Sequence, residues 1–95
     1  VTHALHQRIM NEVIWPTLQG MANDGHPFTG FLYAGLMITP AQEIRVLEFN
    51  CRFGDPETQP ILLRLQADFA QMAMAALEGR LSGFVTTWDP RPALG

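Results

Sequence analysis

Near the middle of the chain, Glu48, Asn50 and Arg52 place a carboxylate, an amide and a guanidinium at every second position. If this run is a strand, Glu48 and Asn50 point to the same face, about 6.6 Å apart along it. Because Mg²⁺ binds oxygen ligands and usually keeps waters and substrate phosphates, these two side chains could share one divalent ion. Arg52, just past the strand, could bind a phosphate through its planar, charged fork. The spacing is typical of a site for a metal-bound nucleotide; the plainer alternative is an exposed strand residue followed by a turn former.

The corner that follows contains two further acids, each with two interpretations. Asp55 suits either the cap of the next turn, which we favour, or an active-site acid. Glu57 could orient Arg52 or contact an amine substrate, and either acid could form a simple ion pair with Arg52. Gly54 is predicted to provide a backbone conformation that other residues avoid. Cys51 is predicted to face away from the site, because no histidine lies in a recognisable partner motif for a catalytic thiol.

Local patterns predict a helix and a hairpin in the first half of the chain. Apolar residues at helical spacing over 5–22 predict a helix that Pro16 kinks or divides and that Gly25 ends. An aromatic and branched run predicts a strand over 28–38, buried on both faces. A turn and a return strand over 43–50 follow, and the return strand carries the two candidate metal ligands.

Two helices are predicted after the Gly-Asp-Pro corner. The first begins near Pro60 and ends near Gln66, and the second covers Phe69–Glu78, between an N-cap at Asp68 and a stop at Gly79. The apolar stripe expected to be buried on the second helix consists of Phe69, Met72, Ala73, Ala76 and Leu77. The remainder of the chain has no clear period. We therefore predict an α+β fold in which an antiparallel hairpin packs against helices.

Bulk composition limits the classes of function. With 95 residues, 47% of them hydrophobic, the chain has room for one small globular domain. A net charge of −3 gives no general attraction to nucleic acid or to an anionic membrane. The longest apolar stretch, 31–38, is far too short to span a bilayer. Cys51 is alone, so an intramolecular disulfide is impossible and a reducing compartment, the cytoplasm, is expected.

The chain resembles a known family of ligases along nearly its whole length. Glu48-x-Asn50-x-Arg52 resembles the metal-binding strand of the ATP-grasp superfamily. The run 52–59, Arg-Phe-Gly-Asp-Pro-Glu-Thr-Gln, is similar to the signature of the phosphoribosylamine–glycine ligases, also called glycinamide ribonucleotide synthetases. Residues 16–21 and 30–37 resemble the family segments before that signature, and 88–91 resembles one after it.

The resemblance implies an architecture. Residues 1–81 correspond to the C-terminal half of the ATP-grasp domain, and 82–95 to a segment that leads to a missing C-terminal domain. We therefore expect a fragment of a longer ligase, whose partner is the rest of that polypeptide. The strand over 28–38 contains no acid, so a further protein ligand for the metal would have to come from elsewhere.

The resemblance also implies an activity: glycine and 5-phosphoribosylamine are joined with consumption of ATP, through glycyl phosphate, in de novo purine synthesis. In that case Glu48 and Asn50 bind Mg²⁺ or Mn²⁺ on the ATP phosphates. Arg52 is the catalytic arginine facing the transferred phosphoryl group, and Asp55 and Glu57 contact substrate or phosphate. Two alternatives remain open: another ATP-grasp ligase such as a biotin carboxylase, whose motif continues differently, or a structural piece without activity of its own.

Overall fold

The computed structural model describes residues Val1–Gly95, which form two compact units. The first unit combines 1–28 with 34–49, and the second combines 29–33 with 50–95. Helices are combined with a two-stranded antiparallel hairpin, which confirms the predicted α+β class. In chain order the elements are α1 (His3–Ile9), a π-helical turn (Met10–Ile14), α2 (Trp15–Asn23), β1 (Tyr33–Ile38), β2 (Ile44–Asn50), α3 (Thr58–Arg64), β3 (Leu65–Gln66), α4 (Phe69–Leu77), a 3₁₀ turn (Leu81–Gly83) and β4 (Thr87–Trp88).

The first helical run changes its hydrogen-bond pattern just before Pro16, where the sequence predicts a kink or a division into two helices. The Trp15 N–H donates to the carbonyl of Met10, five residues back, so the chain makes one wide π turn there. Proline has no N–H to continue the helix ladder, and its ring crowds the carbonyl four residues earlier. The wide turn accommodates both effects and lets α2 continue. Gly25, with φ of 81°, follows the end of α2, which confirms the predicted stop.

The hairpin, most of which belongs to the first unit, starts later than its sequence suggests. β1 begins at Tyr33 rather than at Phe28, and Gly30 before it has φ of 136°, outside the range of an ordinary strand. Met37 on β1 is 54% exposed, so the expectation of a strand buried on both faces is wrong. β2 covers Ile44–Asn50, within one residue of the predicted return strand.

A hydrogen bond joins this hairpin to a helix within the first unit. The turn is closed by the Gln42 N–H donating to Thr39 O at 2.8 Å, and by the Thr39 N–H donating to Glu43 O at 3.0 Å. Arg8 Nη1 on α1 donates to the Gln42 carbonyl at 2.9 Å. Gln42 has φ of 62°, a conformation uncommon outside glycine.

In the second unit, α3 begins at Thr58, two residues before the predicted start, and α4 matches its predicted position closely. The Gln71 N–H donates to Asp68 Oδ1 at 3.0 Å, which confirms the predicted cap. The pairing of β3 with β4 is new: Leu65 lies opposite Trp88 in an antiparallel register.

Few apolar side chains are fully buried. Val13 in the first unit and Ala75 in the second are 7% and 2% exposed. Phe69 and Leu77 are 38% and 76% exposed, so the stripe predicted on α4 is wrong at these two positions, and Ala75 takes the buried place. The second unit also contains stacked rings, with the Phe31 centroid 4.1 Å from that of Phe53. None of the helices combines the length and the apolar character that a membrane span requires.

An ion pair between Arg91 and Asp89 lies in the last segment of the chain. Arg91 Nε donates to Asp89 Oδ1 at 2.9 Å, while Arg64 Nε donates to the Asp89 carbonyl at 2.9 Å. The hydrogen bonds from Arg91 hold the pKa of Asp89 below its usual value, and the charge of Arg64 lowers this pKa further. The ion pair therefore stabilises the folded state fully above the ordinary carboxyl pKa of about 3.9. This stabilisation is lost as the pH falls through the lower folded-state pKa of Asp89.

We expect Arg91→Ala to raise the pKa of Asp89 part of the way to its ordinary value, because the side-chain donors are removed while the backbone N–H of residue 91 remains. A carboxyl ¹³C NMR titration of the labelled chain measures this directly. Arg45→Ala is the matched control, since Arg45 pairs with Glu43 on the surface and should leave the pKa of Asp89 unchanged. Equal Asp89 titrations in the parent and Arg91→Ala chains would show that the ion pair does not hold the carboxylate.

Candidate functional site

The two candidate metal ligands lie at the end of β2. Glu48 and Asn50 are two residues apart on this strand, so strand geometry directs both side chains to one face. Glu48 is exposed and Asn50 is half-buried. No group of three or more His, Cys, Asp and Glu side chains is placed to hold a metal ion. One carboxylate and one amide oxygen nevertheless suit Mg²⁺, which commonly takes one or two protein ligands and completes its shell with water and phosphate.

Arg52 lies in the segment after β2, and its side chain is exposed. Its Nη1 donates to the Phe53 carbonyl at 2.7 Å. The ion pairs of the chain join other residues, so the alternative that Arg52 pairs with Asp55 or Glu57 is wrong. The guanidinium is bonded to a neutral backbone carbonyl and to neither of these two acids, which suits a group that binds an anion.

The Gly-Asp-Pro corner is closed by its own backbone. The buried Gly54 carbonyl accepts the Thr58 N–H at 3.1 Å and the Thr58 hydroxyl at 2.7 Å. The N-cap position of α3 belongs to Glu57, and no side chain caps it. Asp55 is exposed and caps nothing, so the favoured interpretation of Asp55 as a cap is wrong. The turn needs no cap because Gly54 and Thr58 already close it.

Gly54 is required for space rather than for an unusual backbone angle. The glycines with positive φ are Gly25, Gly30 and Gly79, so the expected special conformation at Gly54 is wrong. A Cβ added to Gly54 would collide with Oε2 of Glu57 and would lie 2.7 Å from Cε2 of Tyr33. Ring and carboxylate thus cover the same bare face of the glycine.

The structure adds Tyr33 to the residues named from the sequence. Tyr33 is the first residue of β1 and belongs to the same compact unit as Gly54 and Glu57. Nothing in its local sequence marks it, because the contact spans more than twenty positions. Cys51 is a free, exposed thiol.

Comparison with known proteins connects this arrangement to a family. Residues 1–58, which include every candidate site residue, match the family model described as phosphoribosylglycinamide synthetase, ATP-grasp (A) domain. Relatives named phosphoribosylamine–glycine ligase are 55% identical in Yersinia pestis, 59% in Xanthomonas axonopodis pv. citri and 58% in Pseudomonas syringae pv. tomato. Each alignment covers 100% of this chain and 22% of the relative, so the chain spans about a fifth of their length. The chain belongs to the phosphoribosylglycinamide synthetase ATP-grasp family.

Proposed function

We propose that this chain is part of an ATP-dependent ligase that joins glycine to 5-phosphoribosylamine, giving glycinamide ribonucleotide in purine biosynthesis. The observation that carries the proposal is the 55–59% identity over the whole chain to ligases of that name. The matched region contains the Glu48–Glu57 run that supplies the candidate chemistry. The lone thiol, Cys51, fits the reducing cytoplasm, where we place the protein.

The proposed reaction has two steps. A carboxylate oxygen of glycine attacks the γ-phosphorus of ATP, and the bond to the β–γ bridging oxygen breaks, releasing ADP and leaving glycyl phosphate. The nitrogen of 5-phosphoribosylamine then attacks the acyl carbon, inorganic phosphate leaves, and the nitrogen loses a proton to form the amide. Positioning and electrostatic stabilisation dominate such transfers, so no protein nucleophile is needed.

Glu48 and Asn50 would hold a divalent ion, Mg²⁺ or Mn²⁺, which supplies positive charge to the phosphates of ATP. Their shared face on β2 and their oxygen donors support this assignment. Glu48 contributes a negative charge and Asn50 a neutral oxygen, a combination that leaves coordination positions for water and nucleotide. By holding the ion at one place on β2, the two residues would orient the phosphates of ATP.

Arg52 would face the transferred phosphoryl group. Its exposed guanidinium is bonded to the Phe53 carbonyl at 2.7 Å and to neither neighbouring acid. A neutral carbonyl competes weakly with a phosphate for this donor, because the phosphate is an anion and can accept two parallel bonds from one guanidinium. Arg52 therefore stabilises the negative charge that develops on the phosphoryl oxygens during transfer.

The two acids of the corner would contact substrate. Glu57 is half-buried and forms no hydrogen bond or ion pair through its carboxylate, so it can accept N–H donors from an amine. Asp55 is an exposed carboxylate in the same corner, and we assign it to substrate binding because it has no capping role.

The proposal is tested with a hybrid ligase, in which Val1–Gly95 replaces the matching segment of the full-length Yersinia pestis relative. We expect ADP release that depends on both glycine and 5-phosphoribosylamine. The isolated chain is the control and should show no turnover, since it spans about a fifth of that relative. ADP release that depends on bicarbonate instead, or no turnover by a hybrid that unfolds as cooperatively as the Yersinia pestis ligase, would overturn the proposal.

A further inference from the structure

The carboxylate of Glu57 is held without a polar partner. Glu57 occupies the N-cap position of α3, but its side chain does not cap the helix. It joins no ion pair, although it is half-buried. Carboxylates removed from water normally take hydrogen-bond donors, because partial desolvation of an unpaired charge is unfavourable. Packing must therefore fix the position of this carboxylate.

The packing comes from the bare backbone of one glycine and the edge of one ring. The carbonyl of Gly54 accepts two bonds from Thr58, which closes the corner and brings Glu57 back over Gly54. Oε2 of Glu57 occupies the space where a Gly54 Cβ would lie, and Cε2 of Tyr33 is 2.7 Å from the same point. The carboxylate is thus confined between backbone and aromatic ring.

We propose that Tyr33 and Gly54 are positioning residues that form a slot for the Glu57 carboxylate and aim it at the primary amine of a substrate. This inference rests on the proposed function, in which glycine and 5-phosphoribosylamine both carry a primary amine. The slot supplies no cation of its own, so an incoming N–H donor meets no competitor. Tyr33 acts through its ring carbon, and Gly54 acts through the absence of a side chain.

The geometry makes different demands on the two positions. At Gly54 even a methyl group would have to displace the carboxylate or the ring, because both lie closer than 3.0 Å to the added atom. At Tyr33 the contacting atom is Cε2, which phenylalanine retains. Tyr33→Phe should therefore preserve the slot, whereas Tyr33→Leu should open it.

The test uses steady-state kinetics of the hybrid ligase with each substrate varied in turn. We expect Glu57→Gln, Gly54→Ala and Tyr33→Leu each to raise the KM of one amine substrate about 10- to 100-fold, the effect of losing one hydrogen bond to a charged group. The KM of ATP should change less than about twofold, since the proposed slot takes an amine substrate and not the nucleotide. The substrate whose KM responds, glycine or 5-phosphoribosylamine, is the one that the slot binds.

Controls separate positioning from a general loss of structure. Tyr33→Phe should have the same KM for the amine substrate as the parent hybrid, unlike Tyr33→Leu. Gly83→Ala is the matched glycine control, because nothing lies within 4 Å of a Cβ added at Gly83. The double variant Gly54→Ala/Glu57→Gln should be no worse than the worse single variant, because both changes remove the same contact. If Gly54→Ala fails to fold, Tyr33→Leu and Glu57→Gln, singly and combined, provide an equivalent double-mutant cycle.

Two results would count against the inference in distinguishable ways. If Glu57→Gln raises the amine KM but Gly54→Ala and Tyr33→Leu do not, or their effects add to it, the slot does not position the carboxylate. If the hybrid is active and Glu57→Gln leaves both amine KM values unchanged, the substrate role of Glu57 is wrong and the slot has no function. A hybrid that unfolds as cooperatively as the Yersinia pestis ligase but has no ligase activity refutes the proposed function itself.

Discussion

Replacing Arg52 with alanine in the hybrid ligase is expected to lower kcat about 10³-fold, the scale of losing an arginine that stabilises a phosphoryl-transfer transition state. The KM of ATP should rise much less, because the cation acts most strongly on charge that develops during transfer. The measurement is ADP release at saturating glycine and 5-phosphoribosylamine over a range of ATP concentrations. The bond from Nη1 to the Phe53 carbonyl must break before that nitrogen can donate to a phosphate.

Two further variants show whether shape or charge matters at this position. Arg52→Lys keeps the charge but loses the planar fork, so kcat should stay at least about tenfold below that of the parent. Arg45→Ala is the matched control, because Arg45 is an exposed arginine on β2 that pairs with Glu43, and the kcat should be that of the parent. If Arg52→Ala keeps kcat within a factor of about ten, Arg52 does not serve phosphoryl transfer.

The predictions that succeeded depend on local signals. Pro16 has no backbone N–H to donate within a helix, whatever its surroundings. Asp68 caps α4 by accepting the N–H of Gln71, three residues later. Gly25 and Gly79 both have positive φ after helix ends. Such effects involve residues within one or two turns of each other, so the order of residues alone is enough to predict them.

Errors in the fold arise where distant residues decide the outcome. β3 and β4 contain two residues each, and their partners are separated by more than twenty positions, so neither strand has a detectable alternation. β1 starts later than the sequence pattern predicts, because an aromatic and branched run does not reveal the backbone angle of Gly30. The exposure of Leu77 likewise depends on which neighbours cover α4, which periodicity cannot indicate.

In the candidate site, too, local features were predictable from the sequence and contacts between distant residues were not. The spacing of Glu48 and Asn50 fixes their shared face once β2 forms, and this was predictable from the strand period. The reason for a glycine at position 54 was not predictable, because positive φ and lack of space both select glycine. Only the approach of Glu57 and Tyr33 shows that space is the cause here. The partner of Arg52 is likewise a matter of side-chain conformation rather than of spacing.

Glu48→Gln in the hybrid ligase is expected to raise the Mg²⁺ concentration needed for half-maximal rate by about 100-fold. The amide keeps an oxygen in place but removes the negative charge that attracts a divalent ion, and even losing an outer-shell partner costs 10- to 100-fold in metal affinity. ADP release is measured against free Mg²⁺ at saturating ATP, and Mn²⁺ binding followed by electron paramagnetic resonance gives a readout independent of turnover.

Asn50→Ala should raise the same Mg²⁺ requirement by a smaller factor, because a neutral oxygen contributes less to the affinity than a carboxylate. Glu43→Gln is the matched control: it removes a carboxylate that lies beside β2 and pairs with Arg45, and it should leave the metal requirement unchanged. If Glu48→Gln and Glu43→Gln respond alike to Mg²⁺ and Mn²⁺, the end of β2 does not bind the metal. A metal effect confined to Glu48 and Asn50 would instead show that the ion binds on one face of β2. The two side chains share that face because they are two residues apart on a strand.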